Sequence, residues 1–186
     1  MKHYRRADPS FSLCGLHCGL CPIHHMERGC PGCGGGAGHQ SCGIIRCSLE
    51  HGAPEYCFQC AVFPCERLRN AAEFDSFVPH RNSIADLEGA RDLGLSACRA
   101  EQAQKEAILQ ELLTRYNDGR RKSLFCTAVC LLELDKLRQA MVRLEERVRP
   151  ELELRARAAL AVEELQAAAQ MQGVELKLRK KPKYEQ

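Results

Sequence analysis

The stretch Cys14–Pro22 reads CGLHCGLCP and places three cysteines at C-x3-C-x2-C spacing. It opens a segment, ending at Cys65, that holds ten of the thirteen cysteines of the chain. The glycine-rich run GCPGCGGGAGHQSCG at residues 29–43 can hardly be helix or strand, because glycine loses too much backbone entropy there. A segment with so few aliphatic residues is ordered only when something ties it together, and metal ions do this in small domains. The cysteines are therefore predicted to decide how this part of the chain folds.

The charge and the hydropathy pattern bound the class of protein. A net charge of +3 is too small to argue for nucleic acid by itself. The chain has no apolar run of about 18 residues, so no membrane span is expected. Its start, MKHYRRADPSFSLCG, lacks the apolar core of a signal peptide. We expect a cytoplasmic protein, in whose reducing surroundings clustered cysteines bind metal more often than they form disulfides.

The cysteines fall into spaced pairs, and a C-x2-C pair forms a tight turn that directs both sulfurs at one ion. The strongest pair is CPGC at Cys30–Cys33, where proline fixes the turn and Gly34 lets the backbone approach the sulfur. CGLC at Cys18–Cys21 and CFQC at Cys57–Cys60 are two more. The predicted metal ligands are Cys14, Cys18, Cys21, Cys30, Cys33, Cys42, Cys47, Cys57, Cys60 and Cys65.

Two kinds of metal suit these thiols, since two zinc ions or two [4Fe–4S] clusters would each use eight of the ten. Zinc at two structural sites is the expected cofactor, because shells made only of thiolates are typical of structural zinc. The cysteine–proline pairs at Cys21-Pro22 and Pro64-Cys65 keep the [4Fe–4S] cluster as the alternative. One pairing gives the first ion Cys30, Cys33, Cys42 and Cys47. The second ion then draws on Cys14, Cys18, Cys21, Cys57, Cys60 and Cys65.

Histidines in the same segment are a second source of ligands. With ten cysteines at hand, we expect them to be loop residues near the sites, although one would be able to replace a thiolate. The sequence has no H-E-x-x-H pattern that would support a general base beside an open metal position. No catalytic residue is assigned, and a non-catalytic protein is expected. The histidines are His17, His24, His25, His39 and His51.

From about Glu66 the composition shifts to Leu, Ala, Glu and Arg, with apolar residues at helical spacing. We predict a mainly α fold with a cysteine-rich metal-knuckle segment of little regular structure at residues 1–66. This segment is packed on a C-terminal helical bundle with a basic tail at residues 67–186. The predicted helices cover residues 82–95, 96–119, 122–148 and, starting at Pro150, the chain up to Gly173.

The segment YNDGRRKSLFC at residues 116–126 breaks a local rule, because it places cations at the start of a helix, where the N-terminus is already partly positive. Such violations often mark functional sites, and free N–H groups beside basic side chains would bind phosphate or carboxylate. The alternative is that these side chains extend into water or pair with Asp118. The candidate anion site comprises Asn117, Asp118, Gly119, Arg120, Arg121, Lys122 and Ser123.

Two features of the helical part carry weaker signals. The three remaining cysteines have apolar neighbours and are expected to be buried hydrophobes, with a redox or ligand role as the alternative. The tail KLRKKPK, from Lys177 to Lys183, is a solvated terminus or a contact for an acidic partner. These cysteines are Cys98, Cys126 and Cys130.

The C-x3-C-x2-C spacing is also that of the cluster loop in radical SAM enzymes, where three thiolates leave one iron open. A barrel of that class repeats strand and helix many times and takes roughly 200 residues or more. This chain has 186 residues, and its length beyond the cysteine segment is predicted to be helical. The enzyme class is therefore set aside.

The order of motifs resembles a family of cysteine-rich bacterial and archaeal proteins, domain-of-unknown-function family 3795. The motifs are CGLHCGLCP, GCPGC, CGIIRCSLEHG, YCFQCAVFPCERL, YNDGRRKSLFC and ELKLRKK, and they run from about Phe11 to Lys181. Members look like cytosolic proteins, frequent in anaerobes, with presumed metal-binding cysteines and no established reaction. The resemblance implies the metal and the architecture, and its anaerobic bias supports iron–sulfur as the alternative.

The leading hypothesis from the sequence is a non-catalytic metal-binding module whose helical bundle offers a groove to a protein partner or a small anionic ligand. The alternative is an iron–sulfur redox or electron-transfer protein, or an enzyme that uses the cysteine cluster. A nucleic-acid-binding zinc module is a third option. The cysteine segment argues against it, since it is not strongly basic and has few aromatic residues for stacking.

Overall fold

A computed structural model describes residues 3–182 of the chain, and in that range the fold is mainly α, as predicted. The described residues contain seven α-helices and no β-strand, with one isolated bridge between Phe11 and His17. None of these helices has both the length and the apolar character needed to cross a membrane. The helices are α1 (Gly43–Glu50), α2 (Glu66–Glu73), α3 (Ser83–Leu93), α4 (Leu95–Arg115), α5 (Lys122–Leu131), α6 (Leu134–Arg147) and α7 (Leu154–Gln172).

The cysteine-rich segment has little regular structure, which confirms that part of the prediction. Between residues 3 and 65 the regular elements are α1 and two single turns of 3-10 helix, Cys18–Leu20 and Cys57–Gln59. Helix α1 was not predicted from the sequence. It begins after Cys42, whose Sγ accepts a hydrogen bond from the backbone N–H of Ile44 at 3.3 Å and so serves as the N-cap.

Contacts group the chain into two compact units. Among the described residues, one unit comprises residues 3–100 and 178–182, and the other is Glu101–Lys177. The first unit extends past residue 66 because Leu68 of α2 and Leu87 of α3 pack into one buried cluster with the Phe11 ring. The predicted division at residue 66 rests on composition, and it stays a prediction.

The second unit contains two helices where the sequence predicts one over residues 122–148. Helix α5 ends at Leu131, and extended backbone at Leu132 and Glu133 precedes α6. The side chain of Gln172, in α7, joins the two ends, because it donates to the Leu131 carbonyl at 3.0 Å and accepts from the Glu133 N–H at 2.9 Å. Periodicity alone misses this break, since the backbone groups it frees are satisfied by a residue far along the chain.

The last helix starts later than predicted. Val148 is already extended two residues before Pro150, as the residues near a proline tend to be, and α7 begins only after Glu153. It ends at Gly173, as predicted, in the left-handed conformation with φ 72° that glycine adopts without strain. Helices α6 and α7 then pack along their lengths.

One carboxylate links α6 and α7 electrostatically. Glu164, 7 % exposed, accepts hydrogen bonds from Arg143 Nε at 2.8 Å and Arg147 Nη1 at 2.6 Å. Burial raises the pKa of Glu164, but the hydrogen bonds of the two guanidinium groups outweigh it and hold the pKa below its ordinary value. The ionised form therefore stabilises the folded state.

We expect Glu164→Gln to lower the free energy of unfolding by about 1–2 kcal/mol at pH 7, the low end for charged hydrogen bonds because both arginines are partly exposed. Since folding lowers this pKa below 4.5, the contribution is complete above about pH 4.5 and is lost as the pH falls through the lowered value. Denaturant unfolding of both proteins at several pH values measures the difference. Glu146→Gln, at an exposed carboxylate of α6, is the matched control, and a difference that persists at pH 2 contradicts the assignment.

Candidate metal centres

All thirteen cysteines lie in the described part of the chain and are free thiols. Ten of them border two cavities in the first unit. A cavity of about 250 Å³, here the four-thiol cavity, is lined by Cys47, Cys57, Cys60 and Cys65. A cavity of about 330 Å³, here the six-thiol cavity, is lined by Cys14, Cys18, Cys21, Cys30, Cys33 and Cys42.

The four-thiol cavity is built from three local elements. The 3-10 turn that starts at Cys57 closes with a hydrogen bond from the Cys60 N–H to the Cys57 carbonyl at 3.0 Å. Cys47 comes from the second turn of α1, and Cys65 is the N-cap residue of α2. His51 lines the same cavity, with Nδ1 2.8 Å from the Cys47 carbonyl. Residues from three separate elements thus direct four thiols to one space.

The six-thiol cavity depends on loops that approach each other closely. The Cys33 N–H donates to the Pro9 carbonyl at 3.0 Å, and the Cys21 N–H donates to the Cys18 carbonyl at 3.1 Å. Gly32, in the CPGC turn, has φ 88°, and a Cβ placed there would lie 2.3 Å from the Pro9 carbonyl oxygen. Only glycine therefore permits this turn to lie against the N-terminal segment at Pro9.

The thiols of the larger cavity are not equivalent. Burial raises the pKa of Cys14 to about 11, despite a lowering hydrogen bond from Ser12, and Cys42 and Cys33 contribute to the rise. Burial also raises the pKa of Cys18, with Cys33 and Cys14 as the nearest charges. Electrostatic interactions thus link Cys18 to Cys14 and Cys33, and link both of these to Cys42. Cys21 also acts on Cys18, and Cys30 acts on Cys21.

The two cavities are neighbours. Cys42 is the N-cap residue of α1, and Cys47 lies within that helix. Their backbone positions are therefore about 7.5 Å apart along the helix axis. A backbone hydrogen bond of 2.7 Å from the Cys57 N–H to the Leu13 carbonyl joins the loops of the two cavities. Burial raises the pKa of Cys57 and the charge of Cys14 raises it further, which confirms the proximity.

Arg6, which the sequence did not mark as a functional residue, has a fully buried side chain in the first unit. Its Nη1 donates to the carbonyls of Asp8 at 3.0 Å and Phe11 at 2.7 Å, and its Nη2 donates to the Glu55 carbonyl at 3.0 Å. It lies over the Tyr56 ring at 4.7 Å. Its charge and side-chain donors lower the pKa of the Cys33 thiol, which burial raises. No pattern in the sequence distinguishes this arginine from the other cations near the N-terminus.

The structure groups the cysteines differently from the predicted pairing. Cys47 lies with the last three cysteines of the segment, and Cys14, Cys18 and Cys21 lie with the middle three. Within residues 3–182, no set of three or more His, Cys, Asp and Glu side chains already has the spacing of a bound ion. The pairing could not be read from the order of the chain, because the cavities form from loops that fold over one another.

The five histidines occupy positions near the sites. His24 lines the six-thiol cavity, with Nδ1 2.8 Å from the Cys30 carbonyl. The rings of the others form polar contacts elsewhere, since His17 Nε2 lies 3.0 Å from Asp86, and His25 Nε2 lies 2.8 Å from the Gly19 carbonyl. His39 Nδ1 lies 3.0 Å from the Gln40 carbonyl. Their role as ligands stays open, with His24 and His51 the two that border a cavity.

At the candidate anion site, side-chain oxygens of the chain itself already accept hydrogen bonds from two of the backbone N–H groups that were expected to bind an anion. Asn117 Oδ1 accepts from the Gly119 N–H at 3.1 Å, and Asp118 Oδ1 accepts from the Arg120 N–H at 3.0 Å. Arg121 Nε lies 3.7 Å from Asp118 Oδ2. Lys122 and Ser123 form the first turn of α5. The pairing with Asp118 is the alternative anticipated from the sequence, and the anion site stays a prediction.

The cysteines outside the two cavities lie in helices. Cys126 and Cys130 are buried in α5, as expected for small hydrophobes. Cys98 is half-buried against the cluster that contains Leu87. None of the three lines either of the two thiol cavities.

Comparison with known proteins places the chain in no group. It matches no family model, no curated protein and no solved structure. The resemblance stated from its motifs therefore stays a proposal, and the function has to be argued from the two thiol cavities.

Proposed function

We propose that this chain is a metal–thiolate protein with two separate centres in its first unit. The observation that carries the proposal is the convergence of ten cysteines, spread over fifty residues of sequence, on two adjacent cavities. Free thiols that are half-buried, clustered and surrounded by apolar residues suit soft metals. The resemblance to family 3795 agrees with the proposal.

The residues divide naturally into two complete ligand sets. Cys47, Cys57, Cys60 and Cys65 would hold one centre, because they are the thiols of the four-thiol cavity. Four members of the six-thiol cavity would hold the other, because electrostatic interactions link them. This second set is Cys14, Cys18, Cys33 and Cys42.

The cavities leave room for [4Fe–4S] clusters as well as for single zinc ions, and the anaerobic bias of family 3795 supports the clusters. Sulfurs at about 2.3 Å from zinc lie within about 4 Å of each other and leave little space between them. The cavities of about 250 and 330 Å³ are several times larger than the ~30 Å³ that one water molecule occupies in the liquid. A cluster needs such space, since its thiolates surround a core of four irons and four sulfides.

A two-cluster protein of this kind would carry electrons. Bound clusters supply one-electron redox chemistry at potentials set by charge, hydrogen bonding and burial. The fold brings the two centres next to each other. Cys42 and Cys47 border different cavities at the same helix, α1, and a backbone hydrogen bond joins Leu13 to Cys57. It also supplies a buried cation, since Arg6 lowers the pKa of the Cys33 thiol and so favours its negative charge.

Zinc is the second candidate, and one observation favours it. The pairs Cys18–Cys21 and Cys57–Cys60 already form closed 3-10 turns, with N–H to carbonyl distances of 3.1 and 3.0 Å. Such turns are typical of the knuckles that direct two sulfurs at one zinc. Two zinc ions would make the centres a structural framework, and the function would then lie in a surface for a protein partner or an anion.

Metal analysis with an absorption spectrum, on protein purified without oxygen, tests both candidates. We expect about eight iron atoms and eight sulfides per chain, with visible absorption that bleaches on reduction. About two zinc ions and no colour would reject the clusters and keep the metal–thiolate proposal. Protein that holds neither metal, and gains none when refolded with iron and sulfide or with zinc, would overturn the proposal as a whole.

A further inference from the structure

The C-terminal part of the chain returns to the first unit, where Arg179 contacts Asp75 and Ala72. The Arg179 N–H donates to Asp75 Oδ2 at 2.7 Å, and its Nη2 donates to Asp75 Oδ1 at 3.0 Å and to the Ala72 carbonyl at 2.7 Å. The Arg179 carbonyl accepts from the Asp75 N–H at 2.8 Å. These three residues are called the Arg179 clasp below.

Asp75 is the centre of the clasp, and its side chain has 0 % exposure. Besides Arg179, its carboxylate accepts from the His80 N–H at 2.8 Å and from Arg81 Nη2 at 3.4 Å. A buried carboxylate is costly unless it is paired and hydrogen-bonded. Asp75 therefore depends on the returning chain for one of its two guanidinium partners and for two of the four hydrogen bonds to its carboxylate.

Residues 75–80, here the wall loop, form one side of the six-thiol cavity. Ser76, Phe77, Val78 and His80 line that cavity together with its thiols. The His80 ring is held on both sides, since Nδ1 donates to the Ala71 carbonyl at 2.7 Å and Nε2 accepts from the Ser76 hydroxyl at 2.8 Å. Both ends of the wall loop are thus fixed by polar contacts, and those at Asp75 involve the clasp.

We propose that the Arg179 clasp keeps the wall loop closed on the six-thiol cavity and thereby controls access to its thiols. Local opening of a loop is governed by the contacts that close it, and the clasp supplies charged hydrogen bonds to a buried partner. The four-thiol cavity is lined by residues between Ile44 and Leu68, which precede the wall loop. It is therefore an internal reference. Bound metal would itself shield the thiolates from alkylation, so the rates are compared at equal measured metal content, and the consequence for metal exchange rests on the proposed function.

The test is the rate of alkylation at each cysteine of the purified full-length chain, after a short pulse of N-ethylmaleimide and peptide mass spectrometry. In Arg179→Met we expect all six thiols of the six-thiol cavity to react about tenfold faster, as loss of charged hydrogen bonds predicts. Cys47, Cys57, Cys60 and Cys65 should react at the unchanged rate. Lys180→Met removes an exposed charge one residue away and is the matched control, expected to behave as wild type.

Two results would overturn the proposal. One is an unchanged rate at the six-thiol cavity in Arg179→Met, and the other is an equal increase at both cavities, which indicates general loosening of the unit. If Arg179→Met does not fold, Arg179→Lys replaces it, since lysine keeps the charge and loses the forked contact to both Ala72 and Asp75. An intermediate rise at the six-thiol cavity alone then supports the clasp. Metal content of the same samples reports separately on the proposed function.

Discussion

Replacing both Cys57 and Cys60 by serine is expected to remove one of the two metal centres and to disorder much of the first unit. The two thiols supply half of the ligands of the four-thiol cavity and sit on one closed turn. Metal binding at thiolate sites contributes about 10–16 kcal/mol to folding in small zinc-dependent domains, more than most domains have in total. Metal analysis should show half the wild-type content, and circular dichroism should show a lower, broader melting transition.

Two further variants make this result specific. Cys98→Ser changes a half-buried thiol outside both cavities and should leave the metal content at the wild-type value. If the assigned cluster is present, Cys21→Ser combined with Cys30→Ser changes thiols outside its ligand set and should also leave the content unchanged, whereas a zinc knuckle at Cys18–Cys21 predicts a loss. Full metal content in the Cys57/Cys60 variant would show that the four-thiol cavity is not a metal centre.

Replacing Arg6 by methionine should destabilise the first unit by about 3–5 kcal/mol, the range for breaking a buried charged interaction. The side chain is fully buried and donates to three carbonyls, at 3.0, 2.7 and 3.0 Å, from two separate parts of the chain. Methionine fills a similar volume but leaves those carbonyls and the Glu55 carboxylate without this partner. Denaturant unfolding of the wild type and the variant, both in the metal-loaded form, gives the difference.

Arg5→Met is the matched control for Arg6→Met. Arg5 is the exposed neighbour of Arg6, and its substitution removes the same charge. Its effect should lie within about 0.5 kcal/mol, as for most surface substitutions. Arg6→Lys should recover only part of the loss, because an ammonium group cannot reproduce the planar fork. Equal stability of Arg5→Met and Arg6→Met would show that the buried contacts of Arg6 contribute nothing to the fold.

Local patterns in the sequence predict much of the architecture. The glycine run at residues 29–43 and the apolar spacing after Glu66 separate a cysteine segment of little regular structure from a helical part. Gly173 ends the last helix as predicted, because a left-handed residue there is a local requirement. Helix α1 escaped prediction, since its N-cap is a cysteine side chain that the spacing assigned to metal alone.

The sequence by itself determined the mainly α class, the positions of the C-x2-C turns and the number of thiols that a metal would find. These features depend on residues a few positions apart, where spacing and backbone preference decide the outcome. Only the tertiary structure decided which thiols share a cavity, because Cys14 and Cys42 meet through loops that fold over one another. It also decided the contact between Asp75 and Arg179, which are 104 positions apart and pair because a buried carboxylate needs a cation.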